Sequence, residues 1–171
     1  SSVHWSGIRA EDLPPVAVFG IADSDALSKN VKRLLTDYDI VIIDGTPSLS
    51  RLVSTIIVLG DIVIIPIKPS GLDIWATEKF IEKYEQAQAL KGNVKAYFLM
   101  NQYDDNLTFN RDSREVLQDL DIPSLKTTIK SRIAYVEAVV QGLGVYEYKD
   151  PKAKAEIVAL TNEVLELLKN N

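Results

Sequence analysis

The sequence contains no cysteine and a single histidine, His4. The lack of cysteine excludes disulfides, thiolate zinc sites and cysteine nucleophiles, and it fits a reducing cytoplasm. With one histidine, neither a histidine-based catalytic triad nor a histidine metal cluster is expected. These absences remove several common classes of catalytic and metal site.

Long hydrophobic runs are also absent. The most apolar region, residues 56–67, is short and is interrupted by Asp61, so it predicts no membrane span. The first residues show no signal-peptide pattern. We therefore expect a soluble, cytoplasmic protein. Its 171 residues, 46% of them hydrophobic, suit a single domain over residues 1–171 with one core.

Negative charge exceeds positive charge over the whole chain, but one region has the opposite balance. The formal net charge of -5 argues against indiscriminate affinity of the whole chain for nucleic acid. Residues 126–154, however, contain six positive and three negative side chains. This region is either a solvated basic face or a surface for an anionic partner.

One stretch, residues 38–50, ends an apolar run on an acid and a turn: Tyr-Asp-Ile-Val-Ile-Ile-Asp-Gly-Thr-Pro-Ser-Leu-Ser. The apolar residues 40–43 predict a strand buried on both faces, as in the centre of a parallel sheet. Asp44 would lie at the carboxyl end of that strand, where α/β sheets bind ligands and where an acid can hold hydrated Mg²⁺ beside nucleotide phosphates. This is the Walker B pattern, although any buried strand followed by an Asp-Gly turn matches it.

Helix and strand patterns alternate along the rest of the chain. The opening residues 1–15 read as a loop or a short helix. Helices are predicted at about residues 24–37, 49–59, 73–90, 108–120, 133–140 and 152–169, and further strands at 62–67, 94–100 and 125–129. This alternation predicts a three-layer α/β fold with a mainly parallel sheet.

Four blocks of sequence carry a resemblance to a known family. They are residues 38–50, residues 61–76 (Asp-Ile-Val-Ile-Ile-Pro-Ile-Lys-Pro-Ser-Gly-Leu-Asp-Ile-Trp-Ala), Asn101, and residues 129–138 followed by Tyr-Lys-Asp-Pro at 148–151. The chain resembles the ParA/MinD family of deviant-Walker P-loop ATPases, and most closely the ParA proteins of plasmid and chromosome partition. The second block is the most specific, because a strand ending in Pro-x-x-Pro-Ser-x-Leu-Asp and opening a helix is hard to explain as a generic turn.

The resemblance implies a P-loop NTPase fold and an ATPase whose homodimer sandwiches two ATP molecules until hydrolysis dissolves it. Asp44 would bind Mg²⁺ through water. Gly45, Thr46 and Pro47 would form switch II, which senses the γ-phosphate. Asn101 would hydrogen-bond the adenine of ATP, since an amide donates and accepts at once. The alternative for Asn101 is an ordinary turn residue.

The resemblance also implies contact with DNA. Arg132 falls in the block in which family members carry a DNA-contacting arginine. Four lysines could extend it into a basic patch that binds phosphates without regard to base sequence: Lys126, Lys130, Lys152 and Lys154. The leading hypothesis is a nucleoid-associated partition ATPase that binds nonspecific DNA, is stimulated by a ParB-like partner and segregates plasmid or chromosome DNA.

One family element is missing from this sequence. Family members begin with a strand and the loop Lys-Gly-Gly-x-Gly-Lys-[Ser/Thr], whose amides and lysines hold phosphates, whereas no Gly-Lys-Ser or Gly-Lys-Thr occurs here. We expect the natural protein to possess this N-terminal region, because a central strand and its helix are costly to lose from a packed sheet. The 171-residue chain should be inactive alone, since it lacks the P-loop lysines.

Other interpretations stay open from the sequence. A ParA-like ATPase could position a protein cargo instead of DNA. A chain that naturally lacks the P-loop would be a non-enzymatic binding or scaffold protein. A MinD-like ATPase at membranes needs a basic amphipathic C-terminal helix, and the ending Glu-Leu-Leu-Lys-Asn-Asn at 166–171 has little positive charge, so no membrane partner is expected.

Overall fold

The computed structural model describes residues 2–45, 51–92, 94–104, 117 and 120–170, with the backbone alone described for 71–76. In these ranges the helices are α1 (Ser2–Ile8), α2 (Ser24–Leu34), α3 (Arg51–Leu59), α4 (Gly71–Lys91), α5 (Ile133–Val140) and α6 (Pro151–Lys169). The strands are β1 (Ile62–Ile67), β2 (Lys95–Tyr103) and β3 (Ser124–Lys130). The helix predicted at 108–120 lies almost wholly outside the described residues.

The three strands form a parallel sheet in the order β1-β2-β3. Ile62 lies opposite Lys95, and the register continues without a shift to Ile67 opposite Met100. Between β2 and β3 the register is irregular on both sides of Met100. The three strands after residue 60 and their parallel arrangement are therefore confirmed.

Side chains alternate between the two faces of the sheet, as the pleat of a strand requires. One face is covered by α4, whose Phe80, Ile81 and Tyr84 pack on a buried cluster that contains Phe98. The other members of that cluster are Ile65, Ile67, Ala96, Met100, Tyr103, Leu117 and Ile122. Helix α3 packs on α4 through a second cluster, so this side of the sheet carries two helices.

The opposite face of the sheet is covered by α6. Buried Leu99, Leu125 and Ile129 lie on this face, and apolar residues of α6 pack against them: Ile157, Leu160 and Leu167. Burial of these aliphatic side chains is the main favourable contribution to holding the layers together. A sheet with helices on both faces confirms the predicted three-layer α/β architecture.

Two helices begin at aspartates that cap them. The Asp23 carboxylate accepts from the backbone N–H three residues further on, at 2.8 Å. Asp150 accepts from the N–H groups of Lys152 and Ala153 at 2.9 Å, and Pro151 occupies the first position of α6. These contacts satisfy amides that have no partner inside the helix, which explains where α2 and α6 start.

The strand predicted at residues 40–43 is wrong. The segment before Asp44 has no regular structure, and its side chains are not buried on both sides, with Ile42 89% exposed. A strand needs a neighbour that supplies ladder hydrogen bonds, and in the described residues β1, β2 and β3 pair only with one another. The apolar run therefore lacks the partner that its sequence pattern requires.

None of the helices in the described ranges is long and apolar enough to cross a lipid bilayer.

Candidate functional site

The carboxyl ends of the three parallel strands meet at one edge of the sheet, which is where open α/β sheets bind ligands. Here β1 ends at Ile67, β2 at Tyr103 and β3 at Lys130. The structure thus places two predicted site residues, Asn101 and Lys130, on neighbouring strands at this edge. Arg132 lies two residues after the end of β3 and directly precedes α5.

Asn101 lies where β2 departs from regular strand geometry. Its side-chain Oδ1 accepts a hydrogen bond from the backbone N–H of Gln102 at 3.0 Å, and Gln102 has a φ of 53°. The pairing with β3 shifts between Met100 and Tyr103. Irregularities of this kind re-aim side chains at strand ends and are frequent next to functional sites. The half-buried side chain of Asn101 is therefore held at the ligand edge by the backbone N–H of the next residue.

Asp44 is exposed and is held from the N-terminal helix. The Ser2 hydroxyl donates a hydrogen bond to Asp44 Oδ2. The neighbouring Gly45 lies against α3, where an added Cβ would be 3.6 Å from Ile56 Cδ1. Two of the residues predicted for switch II, Thr46 and Pro47, lie outside the described residues. Asp44 is thus accessible for a ligand, although no strand precedes it.

Helix α1 links this aspartate to the loop between α5 and α6, residues 141–150. At its start Ser2 contacts Asp44, and one turn later the Trp5 indole Nε1 donates to the Leu143 carbonyl at 3.2 Å. Just after the helix, Arg9 pairs with Glu147 of the same loop. The segment predicted as a loop or short helix is therefore a bridge between two parts of the molecule.

The Arg9 guanidinium is almost fully paired. Its Nη1 donates to Glu147 Oε2 at 2.7 Å and to the Gly142 carbonyl at 3.1 Å, and its Nη2 donates to Glu147 Oε1. Nε and Nη2 also donate to the Pro14 carbonyl at 3.1 and 3.0 Å. The hydrogen bonds from Arg9, together with one from the Gly144 amide, lower the pKa of Glu147 to about 2. Sequence reading missed this pair because 138 residues separate its members.

Arg132 is held by Glu156 of α6. Its Nε and Nη2 both donate to Glu156 Oε1, at 2.9 and 2.7 Å. The other carboxylate oxygen, Oε2, accepts from the Tyr135 hydroxyl at 2.8 Å and from the Lys130 amide at 3.1 Å. Burial and the contact with Glu156 raise the pKa of Tyr135, so its hydroxyl stays a donor. The predicted DNA-contacting arginine is therefore tied to a carboxylate.

The lysines of the basic patch fall into two places. Lys126 and Lys130 belong to β3, and the Lys130 ammonium lies 4.8 Å from the centre of the Tyr103 ring. Lys152 and Lys154 lie in the first turn of α6, with Lys154 5.9 Å from the ring of Tyr146. The contact between Arg132 and Glu156 brings the carboxyl end of β3 to the start of α6, whereas Lys126 lies beside Glu163, further along α6.

Two glutamates of α6 place negative charge beside the basic residues of β3 and Arg132. Glu156 pairs with Arg132, and Glu163 accepts from the backbone amides of Lys126 and Thr127 at 2.6 and 2.8 Å. Both glutamates lie beyond residue 154, so they were not included when the charges of residues 126–154 were counted. A signal was present in the sequence, because the acids at 156 and 163 share a helical stripe with the leucines at 160 and 167.

Asp44 and Asn101, each taken by itself, suit one part of an Mg²⁺-nucleotide complex. Among the described residues, no group of three acidic or histidine side chains is placed to hold a metal directly. A single exposed carboxylate such as Asp44 suits contact with a hydrated Mg²⁺, which keeps most of its waters. Asn101 offers an amide for a purine edge. The sequence contains no Gly-Lys-Ser or Gly-Lys-Thr loop to cradle the triphosphate between them.

The fold and the placement of these side chains define an α/β protein whose candidate ligand site lies at the carboxyl edge of a parallel sheet. The family described as the AAA domain matches residues 17–96, a range that includes Asp44 and the motif block at 61–76.

Two curated relatives show to which family of α/β proteins the chain belongs. Maintenance of carboxysome distribution protein A of Halothiobacillus neapolitanus is 30% identical over 166 residues, which is 95% of this chain and 76% of the relative. A ParA family protein of Mycoplasma pneumoniae is 24% identical over 92 residues, covering 54% of this chain and 34% of the relative. The chain belongs to the ParA/MinD family of P-loop ATPases.

Proposed function

We propose that the full-length protein is a ParA-type ATPase that positions a protein assembly inside the cell. ATP and Mg²⁺ would control the formation of its homodimer, and the dimer would bind DNA without sequence preference. One observation supports a protein assembly, and not DNA, as the cargo. The chain is 30% identical, over 95% of its length, to a relative named for the distribution of carboxysomes. Segregation of plasmid or chromosome DNA, the leading hypothesis from sequence, is the second candidate and rests on the four motif blocks.

In this proposal two residues of the chain bind the Mg²⁺-nucleotide complex. Asp44 would hold Mg²⁺ through the waters of the ion, and the hydrogen bond from Ser2 would orient its carboxylate for this contact. Asn101 binds the adenine edge through its amide, whose oxygen the Gln102 amide already fixes. Bound Mg²⁺ would neutralise charge that develops on the phosphates during transfer. Gly45, Thr46 and Pro47 would change conformation when the γ-phosphate leaves.

The basic patch supplies the contact with DNA. Lys130, Arg132, Lys152 and Lys154 lie around the end of β3 and the start of α6, where Glu156 accepts from the Arg132 guanidinium and from the Lys130 backbone amide. Phosphate contacts of this kind release counterions, so binding should weaken steeply with added salt. A ParB-like adaptor on the cargo would stimulate hydrolysis and release the protein from DNA, which would give the cargo a direction of movement.

The biochemical half of the proposal is tested by retention of a random-sequence DNA duplex on the full-length protein with ATP, with ADP and without nucleotide. We expect strong, salt-sensitive retention with ATP and Mg²⁺ only. Equal retention in all three states would contradict the ATP-controlled mechanism. No retention in any state would contradict the assignment of DNA as a ligand.

The cargo is tested by deleting the gene in its native host and following two readouts. We expect large protein assemblies to lose their regular spacing while plasmids are inherited as before. Loss of plasmids with normal spacing of protein assemblies would instead support the second candidate. Re-expression of the wild-type gene controls for effects of the deletion on neighbouring genes.

A further inference from the structure

The contact between Arg132 and Glu156 uses only one edge of the guanidinium group. Nε and Nη2 donate to the same carboxylate oxygen, at 2.9 and 2.7 Å. In the part of the chain that the structure describes, no group accepts from Nη1. The second edge, formed by Nη1 and the remaining hydrogen of Nη2, has the spacing that binds two oxygens of one phosphate. The arginine can therefore keep Glu156 and bind a phosphate at once.

Glu156 is itself held rigidly. Its second oxygen accepts from the Tyr135 hydroxyl of α5 and from the Lys130 amide of β3. The carboxylate is mostly buried, with a side-chain exposure of 14% against 26% for Arg132. A side chain with contacts to a strand, a helix and an arginine has little freedom to turn, so it fixes the direction in which the guanidinium points.

We propose that Glu156 is a positioning residue for DNA binding, which holds the Arg132 guanidinium so that its outer edge meets a backbone phosphate. This inference rests on the proposed DNA-binding function and adds to it a residue whose charge is opposite to that of the basic patch. An arginine that is fixed before binding loses less conformational freedom on meeting DNA.

Charge repulsion alone predicts that Glu156 has the opposite effect on DNA affinity. A carboxylate in a basic patch repels phosphates, so its removal should raise DNA affinity. A positioning role predicts that its removal lowers affinity, because the guanidinium then samples orientations that do not face the phosphate. The sign of the change therefore separates the two accounts.

The experiment measures binding of a random-sequence DNA duplex to the full-length protein with ATP and Mg²⁺, across a series of salt concentrations. The variants are Glu156→Gln and its matched control Glu163→Gln. Both glutamates lie on α6 and accept from backbone amides of β3, but only Glu156 holds an arginine. We expect Glu156→Gln to weaken binding about tenfold and to reduce the salt slope by about 1. Glu163→Gln should leave affinity unchanged or slightly higher.

Unchanged or increased affinity of Glu156→Gln would overturn the inference, because the carboxylate would then be neutral or inhibitory. Thermal unfolding shows whether each variant is folded. Should Glu156→Gln not fold, Arg132→Lys decides the question, since it keeps the charge but has no second edge. We expect this variant to lose about as much affinity as Arg132→Ala, and wild-type affinity of Arg132→Lys would overturn the inference.

The proposed function itself has a separate readout. If Arg132→Ala binds DNA with wild-type affinity and salt slope, then Arg132 contacts no phosphate and the assignment of the basic patch fails. If Arg132→Ala is weak while Glu156→Gln is not, the patch stands and only the positioning role is wrong.

Discussion

Arg9 and Glu147 form a two-bond ion pair that fastens the N-terminal helix to the loop between α5 and α6. The Arg9 side chain is only 7% exposed, and two backbone carbonyls accept its remaining hydrogens. Because Ser2 at the other end of α1 contacts Asp44, this pair also fixes the surroundings of the candidate Mg²⁺ residue. The stability of α1 and the geometry of the site are thereby connected.

Replacing Arg9 by alanine should destabilise the protein. The change leaves the Glu147 carboxylate and two carbonyls without their donor in a poorly hydrated place. We expect the thermal midpoint to fall by roughly 5 °C, measured by circular dichroism. The matched control is Arg51→Ala, because the Arg51 pair with Asp25 spans 3.9 Å and its side chain is 83% exposed. An exposed pair contributes little, so equal losses in the two variants would contradict the account.

Acid should release α1 from the loop between α5 and α6. The hydrogen bonds from Arg9 and the Gly144 amide lower the pKa of Glu147 from 4.5 to about 2. A carboxylate with a lowered pKa stabilises the folded state above its ordinary pKa, and this contribution is lost as the pH falls from about 4.5 to about 2.

Trp5 reports on this release, because its indole donates to the Leu143 carbonyl of the same loop. In a Trp75→Phe background, which leaves Trp5 as the single tryptophan, we expect its emission to shift to the red over that range. Glu147→Gln should remove the pH dependence of the shift. Emission that titrates identically in both proteins would show that another group is responsible.

Gly142 is required by both its backbone angle and its surroundings. Its φ is +69°, and an added Cβ would lie 2.8 Å from the Ile8 carbonyl oxygen and 2.9 Å from Arg9 Cα. Gly92 has a φ of +80° with nothing within 4 Å of such a Cβ. Gly92→Ala should therefore cost about 1 kcal/mol of unfolding free energy from backbone strain alone, and Gly142→Ala clearly more.

Urea denaturation of the two variants measures this difference. Because both changes add the same methyl group at a positive φ, the excess loss in Gly142→Ala isolates the close approach of α1 to the loop. Equal losses would mean that α1 does not pack against Gly142 in solution.

The helices and strands that the sequence predicted correctly are those determined by the local pattern of apolar and polar residues. The β1 segment is a short apolar run bounded by turn residues, and α5 was predicted with its observed bounds, Ile133–Val140. The period of side chains along a strand or helix is enough to fix such elements. The run at 40–43 has the same pattern but no neighbouring strand in the described residues, which local pattern does not reveal.

Residues of the candidate site could be predicted only where they belong to a sequence motif. Asn101, Lys130 and Arg132 lie at the carboxyl ends of β2 and β3 or next to them, and the sequence had placed Asn101 at the end of its strand. Their roles stay predictions. The partners that fix them were not visible, because Glu156 reaches Arg132 from 24 residues away in sequence. Such a contact depends on how α6 packs on the sheet.

The central claim is that Asp44 serves an Mg²⁺-dependent ATPase, and phosphate release from ATP by the full-length protein in the presence of DNA tests it most directly. We expect wild-type turnover that requires Mg²⁺, and a loss of about 10- to 100-fold in Asp44→Asn, as for other groups that act on a metal through its waters. Asp39→Asn, an exposed acid five residues earlier in the same segment, should retain wild-type turnover. Equal turnover by the wild type and Asp44→Asn would contradict the account.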